Sequence, residues 1–246
     1  LLAIVLMFAG IATLSAQEFE HNFADKTLRI DYTFMGNASE QFVALHGLEM
    51  TDNWWGRRIN LTTVPLAGNG GLTLYDAVTG DAIYKTSFSS LFQEWITTPE
   101  AASITKSFEF TILTPMPKRR AYAEVVLRDT TGKESRLRHT TDPQDRLIRN
   151  ATNKHALPHK YLHKGGDSKK CIDVVILAEG YTIDEIDTFM EDAMIATNEI
   201  LSYEPFKSHK DKFNFIAVAS PSADSNVSVP QDDAWRETAV GSNFLT

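Results

Sequence analysis

The sequence predicts two domains, an all-β sandwich of immunoglobulin-like type followed by the beginning of an α/β domain. Three observations predict this. Short runs with a two-residue period, bounded by Gly-rich turns, recur from Leu28 to His139. A Pro-, Gly-, Lys- and His-rich stretch then breaks all periodicity between residues 143 and 170. After it comes a strand, a capped amphipathic helix and a second strand, which is a βαβ pattern.

Residues 1–16 are read as the remainder of a secretory signal peptide. Leu1 to Leu14 is apolar and uncharged, and Ser15-Ala16-Gln17 follows, with cleavage expected after Ala16. The run is short for a membrane anchor, and no later stretch is long and apolar enough to span a bilayer. A secreted, periplasmic or cell-surface location is therefore expected, with no stable membrane insertion after cleavage. The remaining chain, about 230 residues, is enough for two ordinary domains.

The composition, 43% hydrophobic and 23% charged, is that of a globular protein. A formal charge of −8 with no cluster of Lys and Arg argues against a nucleic-acid partner. Cys171 is the only cysteine, so no internal disulfide forms, and its place at the head of a buried strand favours a structural thiol.

The β-sandwich domain is placed at residues 17–142. Leu28, Ile30, Tyr32 and Phe34 alternate with polar residues, as a strand with one buried face does. Arg58 to Leu61 and Leu72 to Tyr75 continue the pattern, Thr79-Gly80-Asp81 reads as a hairpin loop, and Ala82 to Thr86 returns. Ser107 to Leu113 alternates, Pro115 and Pro117 are expected to interrupt, and Ala121 to Arg128 resumes before a turn at Asp129 to Lys133 and a run from Glu134 to His139. Phe88 to Ile96 reads as a short helix or another strand. Trp54, Trp55, Arg57 and Arg58 are candidates for a contact surface, because aromatic and Arg side chains are favoured at interfaces and Trp faces stack on sugars. The competing reading puts one Trp in the core and the other at the domain junction.

Residues 143–170 are read as a linker. His155, His159 and His163 recur every four residues, but Pro158 breaks the helix that would align them, and no carboxylate or Cys completes a zinc spacing. Asp224, Asp232 and Asp233 lack the ordered spacing of a Ca²⁺ loop.

Residues 171–246 open the α/β domain. Ile172 to Ala178 is a nearly continuous apolar run, predicted to be a strand buried on both faces. Thr182 and Glu185 form a Thr-x-x-Glu capping box, and the apolar stripe that follows runs from Ile183 to Leu201. Pro205 stops the helix, and Phe213 to Ala219 is the second strand. Such a unit needs further strands, so the domain is expected to be unfinished at Thr246. Glu179 and Tyr181 follow the first strand at its C-terminal end, where open α/β sheets gather ligands, and are candidates for lining a pocket. The sequence contains no His-Glu-x-x-His, Gly-x-Ser-x-Gly, phosphate loop or zinc cysteine pair.

The run Ile172 to Thr182, with Pro205-Phe206, Phe213-Asn214, Ser220, Asp224-Ser225, Pro230, Thr238 and Ser242-Asn243-Phe244, resembles the opening of the catalytic domain of the IgA-peptidase family of secreted zinc metallopeptidases, metallopeptidase family sixty-four. Ala178-Glu179 stand where the family run has Gly-Asp, and Asn226 where it has Gly. The resemblance extends to the first domain, which looks like the β-sandwich that precedes the peptidase domain in members from gut bacteria. It implies a zincin-like fold, a protein or peptide substrate, and a zinc ion held by a His-Glu-x-x-His helix downstream, with the Glu as general base. That motif maps onto no residue of this sequence, so no catalytic or metal residue is assigned, no zinc is expected bound by this chain, and the chain alone is expected to be inactive. The alternative is a secreted adhesion or glycan-binding protein that works through the sandwich.

Overall fold

The alternation in β1 (Phe23–Gly36) sets the first unit, because it puts Leu28, Ile30, Tyr32 and Phe34 wholly inside. The computed structural model describes residues 18–64, 66–151 and 156–244, and these fall into two compact units that divide between residues 151 and 156. The signal peptide lies outside the described residues, as does His155.

β1 pairs antiparallel with β2 (Gln41–Asp52) on one side and with β5 (Lys106–Pro117) on the other. A parallel two-residue β8 (Arg149–Asn150) extends this sheet in the order β5-β1-β2-β8. β3 (Gly70–Asp76), β4 (Ala82–Phe88), β6 (Ala121–Arg128) and β7 (Glu134–Thr141) form an antiparallel sheet in the order β4-β3-β6-β7. One core joins the two sheets: Leu28, Ile30, Tyr32 and Phe34 from the first, Leu72, Leu74, Ala123 and Val125 from the second. The loop at residues 76–81 is closed by Asp76, whose carboxylate accepts from the amides of Val78 and Thr79. Between Phe88 and β5 the chain forms a short helix, α1 (Leu91–Trp95), capped by Ser90.

Several expectations for this unit are corrected. Arg58 to Leu61 is a turn, because the Arg57 guanidinium gathers the carbonyls of Leu61, Thr63 and Lys85 around itself and Asn60 adopts a positive φ of 52°. Pro115 and Pro117 do not interrupt β5. That strand is at the sheet edge, where a missing N–H costs no ladder bond. The strand β2 was not foreseen. A register shift between Asp31 and Tyr32 breaks its alternation, and Phe42 and Leu45 are exposed.

The second unit is a three-stranded sheet of order β10-β11-β9. β10 (Ile172–Leu177) pairs in parallel with β11 (Phe213–Val218), Ile172 opposite Phe213 through Leu177 opposite Val218. α2 (Ile186–Ile200) runs between them in sequence. β9 (His159–Lys164) pairs antiparallel with the far side of β11. Phe189 and Ala193 of α2 pack with Ala178 and Ala217 as the buried centre, backed by Leu162, Ile176 and Tyr181. The stretch 143–170 is thus not all linker: it supplies β8 to one unit and β9 to the other. β10 is not buried on both faces either. It is the outer strand of the sheet, and Ile172, Val175 and Leu177 are exposed.

Candidate functional site

The C-terminal ends of β10 and β11 are tied together by serine hydroxyls. Ser220 accepts from the amide of Ala178, and Ser222 from the amide of Gly180, both at 2.9 Å. Both serines are buried, so each satisfies a strand-end amide that water does not reach. Gly180 has φ +76°, and a Cβ there would stand 3.0 Å from the carbonyl of Asn226. The Asn226 amide donates to the Gly180 carbonyl at 2.7 Å, which brings the loop after β11 across the turn after β10.

Glu179 holds that loop. Its carboxylate accepts from the Thr238 hydroxyl and from the amides of Val240 and Ser242, each amide at 2.9 Å. Partial burial pushes the carboxyl up, but these three donors outweigh it and keep Glu179 below the usual glutamate range. Glu185 is committed in the same way. It accepts from the Thr182 amide at 2.8 Å, completing the capping box, and from the Ser225 hydroxyl at 2.9 Å. These donors, the Thr182 amide first, hold its pKa below the usual glutamate value.

Tyr181 packs edge-tilted on Phe189, with ring centroids 5.5 Å apart, and donates its hydroxyl to Asp192 at 2.9 Å. The bond to Asp192, then burial, pushes the phenol up, so Tyr181 stays protonated and anchors α2.

In front of these residues lies an open cavity of about 610 Å³, lined by Glu179, Tyr181, Glu185, Asn226, Arg236 and Phe244 among others. The structure therefore brings Glu179 and Tyr181 to one cavity at the strand ends. Its chemistry is that of a binding concavity. Both glutamates are occupied as acceptors, and no His or Cys is among the described lining residues. Sequence reasoning gave no role to Ser220, Ser222, Thr238 or Ser242, although the resemblance touched Ser220, Thr238 and Ser242. Their bonds, side chain to backbone except for the Thr238 hydroxyl to the Glu179 carboxylate, cross some 40 to 60 residues, a relation that leaves no periodic signal.

The other candidates are dispersed. Trp54 is buried, its indole N–H donates to the carbonyl of Arg57 at 3.0 Å, and its ring meets Tyr84 edge-on. Arg57 is tied to backbone carbonyls, and Arg58 to Asp25 and the Trp54 carbonyl. Only Trp55 of the four stands out into solvent, 58% exposed. His163 bonds the carbonyl of Lys210 at 2.9 Å. Asp224 accepts from the Glu237 amide, and Asp233 from the Trp235 indole. Among the described residues no group of three or more His, Cys, Asp or Glu side chains is arranged to hold a metal ion. The described residues therefore do not fit a zinc ion.

Two families match the chain. The one described as Peptidase M64 N-terminus matches residues 18–138, and the one described as IgA Peptidase M64 matches residues 161–246. The first match falls in the first unit and the second in the second unit. No curated protein matches the chain.

Proposed function

Since the chain belongs to the IgA peptidase M64 family, we propose that it is the front part of a secreted bacterial zinc metallopeptidase that hydrolyses peptide bonds in a protein or peptide substrate. The observation that supports this reading is the match of one M64 family to each structural unit. In this reading the two sheets of the first unit are an accessory sandwich of immunoglobulin-like type. The parallel strands β10 and β11 begin a zincin-like peptidase domain. In the same reading the zinc ligands belong to sequence outside these 246 residues, which the lack of a metal-holding group among the described residues and of a His-Glu-x-x-His motif in the sequence supports. No catalytic step is assigned to Glu179, whose carboxylate serves the loop. The family name refers to immunoglobulin A, but the fold does not carry that substrate over to this chain.

The test is to recover the surrounding reading frame, express it without residues 1–16, and measure bound zinc and casein cleavage with and without a chelator. The expected result is about one zinc per chain and chelator-sensitive cleavage in the long form, with neither in the 246-residue chain. A long form that holds no zinc and cuts nothing overturns the reading.

A further inference from the structure

Of the four residues Trp54, Trp55, Arg57 and Arg58, three are consumed by the first unit itself. Trp55 is the exception, and its surroundings are shaped. It stands at a concavity of about 460 Å³ with Leu113, Thr51, Asp52, Asn53 and Arg29. Leu113 is itself 52% exposed, so the concavity offers two apolar surfaces in a polar frame.

The backbone on either side of Trp55 is held. Trp54, next to it, is anchored in the core and takes its backbone amide to the Asp25 carboxylate at 3.0 Å. On the other side, the carbonyl of Asn53 accepts from the buried Thr27 hydroxyl at 2.7 Å, and Asn53 sits at φ 64°. The backbone that carries Trp55 is therefore fixed, and little ordering is left for a ligand to impose.

The polar frame selects the ligand. Arg29 is already paired with Asp31 at 2.8 Å and Glu49 at 3.7 Å, so its charge is spoken for. Asp52, whose charge is balanced by Lys26 at 3.9 Å, stands with Asn53 and Thr51 as oxygen acceptors beside a flat aromatic face. A half-exposed aromatic plane on an anchored backbone, ringed by acceptors, suits a molecule with an apolar C–H face and many hydroxyl donors, and no net charge. We propose that the concavity around Trp55 binds a neutral oligosaccharide, one pyranose ring stacking on the indole and its hydroxyls bonding Asp52 and Asn53. This site does not depend on the peptidase reading, because every residue in it belongs to the first unit.

The 246-residue chain is titrated with chitotetraose, cellotetraose and lacto-N-tetraose by calorimetry and tryptophan fluorescence. At least one is expected to bind with a blue shift of the emission. Trp55→Ala is expected to weaken that binding about tenfold or more, and Trp55→Phe to restore part of it. Near-ultraviolet circular dichroism reports whether the Trp54 environment survives in each variant. Absence of binding by all three saccharides overturns the proposal, as does equal binding by a folded Trp55→Ala variant. Binding of casein-derived peptides in place of saccharides at this surface also overturns it.

Discussion

The hydroxyl of Tyr32 lies 2.7 Å from Nε2 of His139, inside the first unit and across 107 residues of sequence. The Nδ1 of the same ring faces the carbonyl of Thr140 at 3.2 Å. A ring that donates from Nδ1 to Thr140 presents Nε2 as the acceptor for the Tyr32 hydroxyl. One side chain of β1 is thereby bonded to one of β7, between the two sheets. Burial pushes the His139 imidazole below its ordinary range and the Tyr32 phenol above its own.

That arrangement makes the first unit sensitive to acid. The unfolded His139 takes a proton near pH 6.5, while the folded one resists it. Stability from this group is fully present above about pH 6.5 and declines as pH falls toward the lower folded value. Thermal unfolding between pH 8 and pH 5 should show that decline, and His139→Gln should flatten it. Tyr32→Phe should cost about 1 kcal/mol at neutral pH for the lost bond. An unchanged pH profile in His139→Gln would contradict the assignment.

The two adjacent tryptophans should behave as opposites. Trp54 fills the core against Tyr84 and bonds Arg57, so Trp54→Ala should destabilise the first unit by about 3–5 kcal/mol. Trp55→Ala should change stability by no more than about 0.5 kcal/mol, because its side chain faces solvent. Urea unfolding of both variants decides it, and equal losses would mean that Trp55 is packed.

Glu179 is expected to act through the loop at residues 238–242. Glu179→Gln keeps the shape but removes the charge that strengthens its bonds to Thr238, Val240 and Ser242. The loss should be about 1–2 kcal/mol, seen as faster hydrogen exchange at the Val240 and Ser242 amides with little change in the first unit. Its carboxyl is held below the usual range, so the loop should stay pinned down to the ordinary glutamate value and loosen only as pH falls through the lower folded one. Unchanged exchange at both amides would show that other contacts hold the loop.

Gly180 should tolerate nothing larger. Its φ of +76° and the Asn226 carbonyl at 3.0 Å from an added Cβ both oppose substitution. Gly180→Ala should cost about 1–3 kcal/mol, confined to the second unit. A variant as stable as the parent would mean that the turn repacks freely.

The sequence made the strongly periodic parts legible. β1 shows its buried set as Leu28, Ile30, Tyr32 and Phe34, and the capping box at Thr182 and Glu185 shows where the helix begins. It hid what depends on partners far along the chain. β9 is built from His159 to Lys164, mostly polar residues with no alternation, and is a strand only because β11 offers it a ladder. The loop at Arg57 hid for the same reason, since it is ordered by carbonyls of Leu61 and Lys85. At the candidate site, the place after a strand singles out Glu179 and Tyr181, which line one concavity. What Glu179 does is not legible there, because its donors lie some 60 residues away.

β10 carries the last expectation. Its apolar run suits a strand with neighbours on both sides, yet in the sheet order β10-β11-β9 it has one. Ile172, Val175 and Leu177 are 59%, 53% and 42% exposed along an edge whose backbone groups are open to another strand. Such edges recruit further strands, from the same chain or from another. The 246-residue chain should therefore associate as its concentration rises, and sedimentation velocity should show it. Val175→Lys places a charge on that edge and should suppress the association, while unfolding of the second unit shifts by no more than about 0.5 kcal/mol. If the unmodified chain sediments as a monomer at every concentration, the edge is protected by something other than its own side chains. If Val175→Lys associates as strongly as the parent, the contact lies elsewhere.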